Sequence, residues 1–279
     1  MTKLLRANFS RLFQDTFLWI VCLVCCVFSF AIALSGCESA NKTIARGFTA
    51  FAEIYLYNLA PMLGLFLAVC LSMFLGVEYA DGTIRNKLIV GKTRYAVYLA
   101  NYLVCFVASL LVMLSWMVGT SGFFLNAQAS LDWGSMGLRK SVLLLTGVMA
   151  SFASVYTLIG MLCANKALTV VLSLTVFLVL LLPASGLYDR LGEPEILDGM
   201  TIMLDGEFVY QNMGPNSLYL SGMVRKICQA ILEILPTGQV ILVSQQEVIH
   251  PVRQLCFSAV VTVLTLAGGM AAFRKKDLK

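Results

Sequence analysis

Six apolar runs divide the chain, and they decide what it can fold into. They cover about 17–36, 54–76, 95–119, 141–162, 168–186 and 252–273. Twenty helical residues at about 1.5 Å each cross a hydrocarbon core about 30 Å thick, and each run is about that long or longer. Only 13% of the 279 residues are charged, against about 25% in an average soluble domain. The fold class predicted is therefore an all-α integral membrane protein with six transmembrane helices, in one domain spanning 1–279. The net charge of +5 is scattered over loop ends rather than gathered in a patch, which argues against nucleic acid as a partner.

The segments between the runs give orientation. Residues 1–16 put Leu5, Phe9, Leu12 and Phe13 on one helical face and Lys3, Arg6 and Arg11 on another, the pattern of an interfacial amphipathic helix. Leu34-Ser35-Gly36-Cys37 fits a lipobox, but the lead before it is long for a signal peptide, so the run reads as a retained span. Pro61 is expected to kink the second span near its outer end. With both termini cytoplasmic, the inner segments hold twelve Lys and Arg and the two short outer loops hold four. That asymmetry favours termini inside, although Arg139 and Lys140 fall on the wrong side. The protein is then a multi-pass membrane protein with both termini in the cytoplasm.

The long segment 187–251 falls outside, and it has structure of its own. Thr201–Leu204 and Glu207–Tyr210 flank Asp205-Gly206, a hairpin signal. In 223–235, Val224, Ile227, Ile231 and Ile234 recur at helical spacing and Pro236 ends the pattern. This is either an amphipathic helix at the outer membrane face or an ordinary cap on the spans. Seven of the nine cysteines (Cys22, Cys25, Cys26, Cys70, Cys105, Cys163 and Cys256) lie in apolar runs and read as small core residues. Cys37 and Cys228 both fall in outer loops, where a disulfide between them is left open.

The chemistry the chain lacks narrows its function. No run carries Asp, Glu, Lys, Arg or His in its interior, so nothing is placed to couple transport to an ion gradient. The only histidine, His250, cannot build an HExxH zinc site alone. Gly91-Lys92-Thr93 ends like a phosphate-binding loop, but the required glycine at position 86 is Asn86 and no strand precedes it. No cofactor site is expected on this chain. What remains is a passive pore, a structural protein, or a membrane subunit driven by a partner.

Residues 78–94, EYADGTIRNKLIVGKTR, are the polar, charge-dense segment between the second and third runs. Asp81-Gly82 should break the second span, and Thr83–Val90 should form a short helix stopped by Gly91. Ile84 and Leu88 share one face of it, with Arg85, Asn86 and Lys87 around the rim. Asp81 and Arg85, four apart, are expected to pair. A short helix with a small apolar face and basic rim suits a groove on a protein partner. It also suits anionic lipid headgroups, and the residues alone leave both open.

The run Phe74-Leu75-Gly76-Val77-Glu78-Tyr79-Ala80-Asp81-Gly82-Thr83-Ile84-Arg85-Asn86-Lys87-Leu88, with Gly91 and Arg94, resembles the F-x-G-x-E-[FY]-x-x-G-T-[IL]-[RK]-x-x-L segment of bacterial type-2 ABC exporter permeases, the ABC-2 membrane subunits. Leu235-Pro236-Thr237-Gly238-Gln239 is similar to a run before the last span of firmicute members, and Tyr219-Leu220-Ser221-Gly222 with Arg225 resembles their upstream tract. Gly214-Pro215-Asn216-Ser217-Leu218 departs from the usual Asn-Pro and aromatics. The resemblance implies a six-helix transmembrane domain in the bacterial plasma membrane that pairs with a second permease chain, the same or a paralogue. It implies a separate ABC ATPase subunit, which carries the ATP and magnesium. It makes 78–94 the coupling helix, with Glu78, Tyr79, Gly82, Thr83, Arg85, Asn86, Lys87, Gly91 and Arg94 binding the ATPase, and makes 223–235 an extracellular helix over the outward gate. The cargo expected is hydrophobic or amphipathic, such as an antimicrobial peptide or lipid-like molecule. A non-transporting scaffold, or an ABC-coupled peptide sensor or immunity component, is the alternative.

Overall fold

Asp15 separates the first two helices. α1 (Thr2–Gln14) ends just before it, and its carboxylate accepts the Phe17 amide at 3.0 Å to cap α2 (Thr16–Ala45). The computed structural model describes residues 2–48, 57, 59–122, 138–163, 165–197, 200–204, 207–211, 214–248 and 250–276. The chain continues through α3 (Met62–Ala80), α4 (Thr83–Ile89), α5 (Arg94–Thr120), α6 (Leu138–Leu162) and α7 (Lys166–Gly192). Two short hairpin ladders follow, formed by β1 (Ile196–Leu197), β2 (Met200–Leu204), β3 (Glu207–Gln211) and β4 (Gly214–Pro215). Then come α8 (Gly222–Ile234), α9 (Pro236–Ser244) and α10 (Pro251–Lys275).

Six helices, α2, α3, α5, α6, α7 and α10, are long and apolar enough to cross a membrane, as the six runs predict. α3, α5 and α6 form the interior, with α2 against α5, α7 against α3 and α10 against α6. Apolar side chains such as Trp19, Leu23, Val27, Val179, Leu182, Val263 and Leu264 point away from the bundle and are exposed. A belt of that kind is what a lipid-facing surface requires. Inside, short polar contacts join the helices: Ser72 to Ser173 at 2.6 Å, Thr265 to Ser154 at 2.7 Å, and the Tyr156 hydroxyl to the Gly64 carbonyl at 2.9 Å.

Several boundaries move. α2 runs to Ala45, so the lipobox-like tetrad lies inside one continuous helix, with Gly36 and Cys37 buried. Cys37 and Cys228 are both thiols, and no disulfide joins them. Pro61 does not kink the second span but precedes it as the N-cap of α3. Proline has no N–H to offer, and a helix start does not need one. The expected beginning of that span, 54–56, lies outside the described residues, as do 123–137 of the second outer loop, Ala164 of the expected tight turn and the Asp205-Gly206 turn. The hairpin itself forms, with β2 and β3 antiparallel and Thr201 opposite Tyr210.

α9 has no counterpart in the sequence reading. Pro236 ends the amphipathic pattern as expected, but it also opens α9, which turns back from α8 through 97° and packs on α6, α7 and α8. Every residue of Pro236–Ile241 is buried. Gly238 permits the turn, because a Cβ there would collide with the Leu232 carbonyl. Gln239 then fixes α9 to α10: its amide donates to the Gln254 carbonyl at 3.3 Å, and its oxygen accepts from Ser258 at 2.6 Å.

Candidate functional site

The segment 78–94 sits at the end of the bundle that carries both termini. Arg11 of α1 and Lys276, just past α10, both reach it. α4 is held between two glycines in the left-handed region, Gly82 at φ 65° and Gly91 at φ 86°. Other residues resist that conformation, so these two glycines set where the chain turns into and out of α4. Its observed span, Thr83–Ile89, is one residue shorter than predicted.

Glu78 is the centre of the site. It lies in the last turn of α3 with its side chain wholly buried. One carboxylate oxygen receives Arg11 of α1 and Lys87 of α4, the latter at 2.5 Å. The other receives the Asn101 amide of α5 at 2.6 Å. Asn101 in turn accepts from Asn8 of α1 at 2.7 Å, and both asparagines are buried. Arg11 also donates to the Phe74 carbonyl at 2.6 Å and lies over the Phe74 ring. The Thr83 hydroxyl donates to the Glu78 carbonyl at 2.9 Å. One buried carboxylate thus joins α1, α3, α4 and α5. A charge so placed is tolerated because both carboxylate oxygens are answered, one by two cations and the other by an amide.

A second set of contacts ties the same end to α10. Tyr79 donates to the Met161 carbonyl, and Lys276 donates to the Tyr79 hydroxyl at 2.9 Å and to Met161 at 3.1 Å. The Lys276 ammonium also sits 4.1 Å from the Tyr79 ring centroid. Burial there pulls its pKa below the usual lysine range. Arg94 donates to the carbonyls of Phe273 and Arg274, each at 3.0 Å, and of Lys276, closing the open C-terminal end of α10. Gly76 lets α7 approach: a Cβ on it would lie 3.0 Å from the Lys166 Cα.

The nine residues singled out in the sequence therefore divide in two. Glu78, Tyr79, Thr83, Lys87 and Arg94 have their polar groups engaged inside the chain, and Gly82 turns it. Arg85, Asn86 and Gly91 are exposed. The Asp81–Arg85 ion pair does not form: among the described residues the acidic partners are Glu38, Glu78 and Glu233. Asp81 caps α3, and the left-handed Gly82 puts it off the axis of α4. The expected docking face is also used internally, since Ile84 is 1% exposed and Leu88 packs on the core. The apolar groups α4 presents outward are Ile89, 72% exposed, and Val90, 77% exposed. The sequence reading missed these two, along with Asn8, Asn101 and the structural use of Arg11 and Lys276. Among the described residues no group of three His, Cys, Asp or Glu is placed to hold a metal ion.

Residues 4–183, from α1 through most of α7, match the family described as ABC-2 family transporter protein. The chain belongs to the ABC-2 family. It is a multi-pass membrane protein and the permease component of an ABC transporter. Comparison with curated proteins returns no match. Permeases of the ABC-2 family work in general with an ABC ATPase. The match stops in α7, so the hairpins, α8, α9 and α10 of this permease lie beyond the matched residues.

Proposed function

We propose that this permease is the membrane subunit of an ATP-driven exporter and that a separate ATPase subunit seats on the outer rim of α4. One observation carries the reading. α4 is anchored on one side, through Ile84 and Lys87, and presents Arg85, Asn86, Ile89 and Val90 on the other. An apolar pair beside a cation is what a partner groove can desolvate. Gly91 sets the end of this rim. Glu78, Tyr79, Gly82, Thr83, Lys87 and Arg94 position it.

The anchoring gives the coupling a route. Closure of the ATPase on ATP and magnesium displaces α4, and Lys87 and Glu78 pass the displacement to α1, α3 and α5 together. Tyr79 and Arg94 pass it to the end of α10. Binding energy on the partner then biases a bundle with two arrangements. The terminal end faces the cytoplasm in this reading. Two permease chains pair, as copies or paralogues, with the pathway at their interface. The sparsely buried outward faces of α7 and α10 support such a second neighbour. With no charged side chain mid-span, the cargo is hydrophobic or amphipathic.

The test is mild-detergent purification of the tagged permease from its host, with mass spectrometry of what accompanies it. An ATPase in fixed ratio, lost on Arg85→Glu and retained on Arg6→Glu, is the expected result. Arg6 is a basic residue of α1 exposed at the same end, so it separates partner docking from attraction to lipid. Retention of the ATPase by Arg85→Glu, or no ATPase at all, would overturn the proposal.

A further inference from the structure

The opposite end of the bundle holds a half-open cavity of about 470 Å3, lined by the last turns of α7, by α8 and by the segment joining α9 to α10. Sites for small organic ligands occupy about 300–1,000 Å3. Leu191, Leu232, Leu242 and Val248 supply an apolar wall. Against it stand three polar side chains, each with one atom unanswered among the described residues. Arg225 donates through Nη2 to the Leu191 carbonyl at 2.8 Å, while its buried Nη1 has no acceptor. Glu233, 5% exposed, spends Oε1 on Arg253 and, at 3.4 Å, on Gln229, while Oε2 has no donor. Gln254, 2% exposed, donates through Nε2 to the Gln239 carbonyl at 3.0 Å, while Oε1 has no donor.

A buried polar atom without a partner is costly, and native structures hold few. Three of them lining one cavity form a set with definite chemistry: one cationic donor beside two acceptors, one of them anionic. The complement is a zwitterion, with an anion for Arg225 and an ammonium carrying N–H groups for Glu233 and Gln254. Glu247 and His250 are exposed at the rim and do not fill these valences.

The neighbourhood of the cavity names the source. α8 exposes Met223, Val224 and Ile227 at 72%, 54% and 52%, and its basic and acidic residues lie on its other sides. A helix of that kind rests in the membrane interface, with its apolar side in the acyl region. The cavity beneath it is then level with the headgroups. We infer that it binds the headgroup of an aminophospholipid, phosphate on Arg225 and ammonium on Glu233 and Gln254. Phosphatidylcholine offers the same charges without an N–H, and phosphatidylglycerol offers the phosphate without the ammonium. The inference does not depend on the ATPase reading.

The experiment uses the full-length chain, delipidated in detergent and mixed with equal amounts of phosphatidylethanolamine, phosphatidylcholine and phosphatidylglycerol of identical acyl chains. Native mass spectrometry counts what each retains. Phosphatidylethanolamine should be retained about tenfold or more over the other two, the loss expected when a hydrogen bond to a charged group is missing. Glu233→Gln should abolish that preference, Arg225→Gln should lower the retention of all three lipids together, and Lys226→Gln, on an exposed neighbour, should change neither. Because Glu233 also holds Arg253, thermal melting of each variant is recorded, and the partly exposed Arg225 serves where Glu233→Gln does not fold. Equal retention of the three lipids, or undiminished lipid retention in folded Arg225→Gln, would overturn the inference and leave the cavity to water. Soluble phosphoethanolamine raising the melting temperature as much as the lipid does would overturn the lipid as source.

Discussion

Arg11 and Glu78 stand 67 positions apart in the chain and meet in an ion pair whose carboxylate side is fully buried. The pair turns an interfacial helix into part of the bundle. α1 does not merely rest on a membrane surface: its inner face of Leu4, Asn8 and Leu12 is buried, with Asn8 bonded to Asn101. The helix, the bundle and the segment that would meet a partner therefore share one polar node.

Removal of that node should be felt in stability before it is felt in function. Glu78→Ala leaves Arg11 and Lys87 facing each other without a counter-charge. Breaking a buried pair in this way costs about 3–5 kcal/mol. The loss here belongs at the low end, about 3 kcal/mol, because Arg11 is partly exposed and can turn to solvent. Detergent-solubilised thermal unfolding followed by size-exclusion chromatography is the measurement. A melting temperature equal to wild type would mean that the node contributes nothing.

The outer rim of α4 should show the opposite signature. Ile89→Asp with Val90→Asp alters two highly exposed side chains, so stability should shift by no more than about 0.5 kcal/mol per site. If these residues seat in an ATPase groove, partner affinity should fall about tenfold or more. Titration of purified permease with its ATPase, read by ATP turnover, separates the two effects.

How much of this was readable in the sequence depends on whether the signal was local. The six spans were, because a long apolar run carries its own evidence. Gly82 and Gly91 were, because a left-handed turn needs a residue without a Cβ. The role of Arg11 was not: its charge is visible, but the choice of Glu78 as partner is made by the packing of α1 across α3 and α5. Lys87 was read as rim for the same reason. Ile84 and Leu88 show the limit of a helical wheel, since an apolar face says that something covers it and not what. α9 was hidden because Pro236-Thr237-Gly238-Gln239 looks like a turn, and nine residues of helix are too few to stand out as a span.

Gly76 gives a packing prediction within the same motif. A Cβ there would come within 3.0 Å of the Lys166 backbone, so the neighbour cannot yield as a side-chain tip would. Gly76→Val should force α7 away from α3 and lower stability by about 1–3 kcal/mol. A parallel loss of the Ser72–Ser173 contact, which joins the same two helices, would accompany it. Disulfide trapping between cysteines placed at 72 and 173 reports that separation directly: the yield should drop in the Gly76→Val background.

Orientation is open to direct chemistry. Arg85 and Gln245 are both exposed and lie at opposite ends of the bundle. In a background lacking the nine native cysteines, Gln245→Cys should react with an impermeant maleimide on intact cells, and Arg85→Cys only after permeabilisation. The reverse pattern would put the α4 rim outside the cell, away from any ATP, and remove the physical basis for coupling there.

Gln239 provides the strictest test of α9. Its side chain is wholly buried, donates to the carbonyls of Glu233 and Gln254 and accepts from Ser258, so it links α8, α9 and α10. Gln239→Leu keeps similar bulk but leaves two carbonyls and a hydroxyl without that partner. Each buried group so stranded costs about 1–3 kcal/mol, although Gln254 and Ser258 can relax toward each other and offset part of it. The expected result is faster amide exchange confined to 236–244, with α3, α5 and α6 unchanged, because those helices make no use of Gln239. Exchange that quickens throughout the bundle would mean that α9 is part of its core and not a separable element. Unchanged exchange in 236–244 would mean that Pro236, Gly238 and apolar packing hold the turn without the polar link.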